Sequence, residues 1–92
     1  MTEDRDAVRL RRLRFRAWHR GMKEMDLILG SFADRHLAQM SAEELDAFER
    51  LIDMPDGELM SCVAGGAEPD DPGLEDLIER LRTVRLQPED YR

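Results

Sequence analysis

Apolar residues recur three and four positions apart in one segment after another of this chain, and no stretch alternates convincingly in the two-residue rhythm of a strand. Such spacing belongs to helices that each bury one stripe. Residues 5–19 contain no Gly or Pro, are rich in Arg and Leu, and place Val8, Arg12, Phe15 and His19 near one line, which predicts a first helix. Gly21 interrupts, and Met22, Met25, Ile28, Leu29, Phe32, Ala33 and His36 then form the broad apolar face of a second. Ser41 followed by Glu44 reads as a capping box that opens a third helix. Its stripe is Leu45, Phe48, Leu51 and Ile52, and Pro55 ends it by lacking an amide proton.

Asp56 is placed to cap a short fourth helix over Leu59, Met60 and Val63, stopped by Gly65 and Gly66. After a loop to Gly73, the pair Asp71 and Pro72 announces a fifth helix carrying Leu74, Leu77, Ile78, Leu81 and Val84. Acids gather early in it (Glu75, Asp76, Glu79) and arginines late (Arg80, Arg82, Arg85), an order that complements the helix dipole and permits an Asp76–Arg80 pair. The expected architecture is all-α: a small five-helix bundle, one domain over residues 1–92 with an ordered core of about 5–86. Pro88 prevents continuation, so a frayed tail is expected over 87–92.

Composition restricts what such a bundle does. A 41% apolar chain is too hydrophobic for disorder, while 38% charged residues and a net charge of -7 require a well-solvated exterior. Residues 1–24 hold eight Arg or Lys against four acids, and residues 25–92 hold six against seventeen. A basic segment on an acidic body suits an oriented encounter with a partner of mixed charge. The longest nearly apolar run, Met25 to Ala33, is far short of the roughly 20 residues of a membrane span. The acidic opening Thr2-Glu3-Asp4 is unlike a secretory or transit peptide, so residence in the cytoplasm is expected. Cys62 is the sole cysteine, which rules out an internal disulfide or a thiolate metal cage, and it reads as a small buried residue. His19 and His36 have no metal-ligand spacing, and no general acid, base and nucleophile assemble.

The unusual place is the junction Trp18-His19-Arg20-Gly21-Met22-Lys23-Glu24-Met25-Asp26. A glycine between two strongly helical stretches costs about 1 kcal/mol against alanine if it lies in a helix interior, so a positive-φ turn or a close partner backbone is needed to explain it. Beside it stand an Arg whose planar fork can grip a carboxylate or carbonyls, a Glu four residues on, and the only Trp. Trp18, His19, Arg20, Gly21, Lys23, Glu24 and Asp26 are the candidate partner-binding residues. The bland alternative makes Arg20 and Glu24 an exposed ion pair, Gly21 a helix stop, Phe15 and Trp18 core aromatics, and Met22 and Met25 packing between helices.

Arg20-Gly21-Met22-Lys23-Glu24 resembles the R-G-x-x-E motif of the small flavinylation assembly factors of succinate dehydrogenase. Arg20 through Phe32 is similar to that family's second helix, and Leu45 through Leu59 to its acidic third helix and D-x-P-D turn. The resemblance covers roughly residues 8–85. It implies five helices and a non-enzymatic role in attaching FAD covalently to a histidine of the dehydrogenase flavoprotein subunit, with fumarate reductase a further candidate client. It also implies that Arg20, Gly21 and Glu24 lie at the contact with the client. On this reading the chain binds no FAD, metal or nucleic acid stably, does not enter a membrane, and is a monomer when free. A rival reading is a nucleic-acid-binding regulator that uses the seven arginines of residues 5–20 on phosphates.

Overall fold

The computed structural model describes residues 5–86, with side chains from residue 7 onward, so the tail expected to fray lies outside the described residues. Five helices follow in order, α1 (Arg5–Trp18), α2 (Lys23–His36), α3 (Ala42–Ile52), α4 (Asp56–Val63) and α5 (Glu75–Leu86). Two short 3-10 turns, Leu37–Gln39 and Pro72–Leu74, lead into α3 and α5, and no strand occurs among the described residues. α2 is the central element, packed on α1 along one side and on α5 along the other, with α3 against α1 and α4 against α5.

Helix ends follow local chemistry. Ser41 Oγ accepts from the Glu44 amide and Glu44 Oε1 accepts from the Ser41 amide, the reciprocal capping box that opens α3. α4 closes in a Schellman arrangement: Gly65 has φ +90°, the Gly66 amide donates to the Ser61 carbonyl, and the Gly65 amide donates to that of Cys62. Asp71 Oδ1 accepts from the Gly73 amide at 2.9 Å, so the expected cap serves the 3-10 turn that runs into α5. Two expectations need correction. Pro55, not Asp56, is the residue at the head of α4, because the Asp56 carboxylate is engaged elsewhere. Arg80 reaches Glu44 at 3.7 Å and lies 5.0 Å over the Phe32 ring, in place of an Asp76 pair.

The core takes the expected faces of α2, α3 and α5 almost residue for residue. Phe32 and Phe48, both fully buried, stack at 5.8 Å in its centre. Leu59, Cys62 and Val63 close it from α4. The buried face of α1 is Leu13 and Ala17 with Leu10 packed alongside, whereas Arg12, Phe15 and His19 point outward. That line satisfies the same periodicity and buries no charge, which is why it wins over the Val8–Arg12–Phe15–His19 line.

Candidate functional site

The junction of α1 and α2 is a sharp corner with Gly21 at its tip, where φ is +95° and an added Cβ would meet nothing within 4 Å. The backbone conformation, not crowding, therefore calls for glycine. Asp26 braces the turn from inside α2, its Oδ1 accepting the Arg20 amide at 2.7 Å. The Asp26 amide in turn donates to the Met22 carbonyl, the first hydrogen bond of α2.

Arg20 was expected to offer its guanidinium outward, and its side chain is instead only 10% exposed. The fork is used within the chain. Nε donates to Asp56 Oδ1 at 2.7 Å, a second nitrogen to the Met54 carbonyl at 2.6 Å, and the third to the Ile52 carbonyl. One carboxylate and two carbonyls at the end of α3 and the start of α4 thus take one hydrogen bond from each nitrogen of the planar group. Asp53, on the same turn, holds Arg16 of α1. The exposed Arg20–Glu24 ion pair of the bland reading is replaced by two others, because Glu24 faces Arg85 at 3.7 Å.

Gly21, Met22, Lys23 and Glu24 form a continuous exposed run after Arg20, and Met22 is among the large apolar residues left at the surface instead of packing between helices. On the other side of the corner Phe15, expected to favour the core, is 64% exposed and stacks on His19 with centroids 4.1 Å apart. The His19 Nδ1 lies 2.8 Å from the Phe15 carbonyl. These two rings and Arg16 form one wall of an open groove of about 440 Å³, with Ile52 to Asp56 as the other and Arg20 between them. Trp18 is turned away from this groove, half-buried against Gly30 of α2, its Nε1 donating to Asp34 at 3.3 Å.

Sequence reasoning missed the α3–α4 turn as part of the site, although its two aspartates bracket Pro55 and were visible as a D-x-P-D string. Several arginines of the basic segment, which reads in sequence as suited to an oriented encounter with a partner, are paired within the chain. Arg9 pairs with Asp46 and Glu49, Arg14 lies 3.2 Å from Asp34, and Arg16 and Arg20 pair with Asp53 and Asp56. Cys62 is buried and its thiol is pushed up by desolvation, away from the reactive thiolate. No group of metal-ligating side chains occurs among the described residues, and none of their helices is long and apolar enough to cross a membrane.

Comparison with known proteins gives a consistent picture. The family described as "Flavinator of succinate dehydrogenase" (Sdh5) matches residues 11–85. A "FAD assembly factor SdhE" of Acetobacter pasteurianus is 39% identical over 89 residues, 92% of this chain and 82% of the relative. One from Methylococcus capsulatus is 38% identical over 65 residues, 71% of this chain and 78% of the relative. A mitochondrial "Succinate dehydrogenase assembly factor 2" of Debaryomyces hansenii is 42% identical over 52 residues, 56% of this chain and 37% of that longer protein. With a family match spanning the corner, the D-x-P-D turn and all the helices between and beyond them, this chain belongs to the succinate dehydrogenase flavinator family.

Proposed function

We propose that this protein is an assembly factor that binds the flavoprotein subunit of succinate dehydrogenase and promotes covalent attachment of FAD to a histidine of that subunit. The observation that carries the reading is the family match together with the intact Arg20-Gly21-Met22-Lys23-Glu24 string, whose glycine, methionine, lysine and glutamate stand exposed on a braced corner. Attachment removes a proton from the 8α-methyl group of the flavin and joins that carbon to a neutral histidine nitrogen, the imidazole's own proton being released and the flavin ring taking up the electron pair and leaving the step reduced; it needs carbon and nitrogen held within about 3–3.5 Å of each other. A helper can favour that arrangement by binding the client conformation that contains it more tightly than the others. The flavin stays with the client throughout, and this chain supplies order instead of a catalytic group.

Glu24 provides a carboxylate for client donors and Lys23 a cation for client acceptors, with Gly21 allowing a client backbone to approach closely. His19 and Phe15 extend the surface with an aromatic pair. Trp18 and Asp26 support it from within, Trp18 by seating α1 on α2 and Asp26 by holding the Arg20 amide. The nucleic-acid reading is disfavoured by the pairing of Arg9, Arg14, Arg16 and Arg20 with acids of α2, α3, the α3–α4 turn and α4, which leaves less positive charge for phosphates. We further propose that the free protein is a cytoplasmic monomer.

The test is co-expression of the flavoprotein subunit with and without this chain, scoring covalent flavin by in-gel fluorescence. Covalent flavin is expected to rise when the chain is present. Equal flavin in both cultures would contradict the proposal.

A further inference from the structure

We infer that Asp56 is a positioning residue for the docking corner: by locking Arg20 to the α3–α4 turn, it fixes the shape in which Gly21 to Glu24 meet the client. The inference rests on the docking reading above and adds to it a role for the Arg20–Asp56 pair, which lies outside the exposed Gly21 to Glu24 run.

Gly21 is conformationally free, with φ +95° and open space around it, so the corner's shape is set by whatever holds its flanks. On the α2 flank that holder is Asp26. On the α1 flank it is the Arg20 side chain, which ends on Asp56, Met54 and Ile52, residues 32 to 36 positions away in sequence. With its side chain 10% exposed, Arg20 commits one hydrogen bond from each of its three nitrogens inside the chain, so what it gives the client is order in the backbone that follows it. The anchor is itself firm. Pro55 fixes its own φ at -59°, its carbonyl takes the Leu59 amide at 2.9 Å, and Asp53 is tied to Arg16. A lysine at position 20 has no fork with which to span a carboxylate and two carbonyls at once.

The test is a double-mutant cycle in the full chain with Arg20→Ala, Asp56→Ala and the pair. It reads affinity for the flavoprotein subunit, and amide hydrogen exchange of residues 20–26 in the free protein, with core amides of α3 and α5 as the control for folding. Each single substitution is expected to weaken affinity about tenfold, as loss of a charge-assisted hydrogen bond does, and the double to be no worse than the worse single. Exchange at 20–26 accelerates while the core controls hold. Asp56→Asn, which keeps the shape and one acceptor, falls between, and Arg20→Lys behaves like Arg20→Ala. Wild-type affinity in Asp56→Ala beside a large loss in Arg20→Ala would overturn the inference, because it would mean that Arg20 contacts the client itself. So would losses that multiply in the double variant. If the wild-type chain does not bind the flavoprotein at all, the docking reading fails, and exchange alone decides the latch: faster exchange at 20–26 in Asp56→Ala upholds it, and unchanged exchange overturns it.

Discussion

Gly21 is the residue on which the corner turns, and its cost of replacement can be separated from crowding. A Cβ there meets nothing, so Gly21→Ala pays only for placing an L side chain in the left-handed region, about 1–2 kcal/mol. For a domain of this size the melting temperature is expected to fall by roughly 4–16 °C with cooperative unfolding retained; an unchanged melting temperature would mean that the corner relaxes to negative φ. The need for positive φ was legible from a glycine between two helix-forming stretches. The direction of the Arg20 side chain was not, because its acceptors lie 32 to 36 residues downstream and no local spacing encodes them. Glu24 shows the same limit, since its neighbour Arg85 comes from the other end of the chain.

At the scale of elements, the α1–α2 contact is set by a ring and a missing side chain. Gly30 sits in the middle of α2, where glycine costs about 1 kcal/mol against alanine, and an added Cβ would lie 2.1 Å from the Trp18 ring. Gly30→Ala is therefore expected to destabilise by about 1–3 kcal/mol despite the better helix propensity. It should also shift the emission of the only tryptophan to the red as the ring leaves its seat, and unshifted emission would refute this account of Gly30. Local pairs such as the Ser41–Glu44 box and the Gly65–Gly66 stop could be read directly, since both partners lie within a turn of helix. The face that α1 buries could not: Leu10, Leu13 and Ala17 compete with Phe15 and His19 under one periodicity. The charge pairs with α3 and the turn that follows it, which help turn the helix, are visible only in three dimensions.

For the whole molecule, stability is tied to pH through groups that the fold prefers in one state. Burial, helped by the Arg80 and Arg35 charges, lowers the His36 pKa, so the folded chain favours the neutral ring. The unfolded chain then binds more protons below about pH 6.5, and the contribution is complete above that pH and is lost as pH falls toward the folded pKa. Glu44 and Asp71 are held below their ordinary values by their hydrogen bonds, Glu44 chiefly by the Ser41 amide and Asp71 chiefly by Arg50. Their contribution is present above the ordinary carboxylate range and lost as pH falls through the lowered values. Thermal melts are expected to show stability declining below about pH 6.5 and again in the acid range. His36→Gln should flatten only the first decline, and an unchanged profile in that variant would reject the assignment.

The proposed function assigns recognition of the flavoprotein subunit to the exposed corner from Gly21 to Glu24 on an acidic body. Glu24 is exposed, with Arg85 3.7 Å away, and the space around Gly21 is open, so both positions can be altered with the core intact. The most direct measurement is covalent flavin on the co-expressed flavoprotein subunit for Glu24→Ala and Gly21→Arg beside the wild-type chain, after circular dichroism has established that both variants are folded. The account predicts that flavin attachment in both falls to the level seen without the chain. Folded variants that sustain full attachment would contradict it.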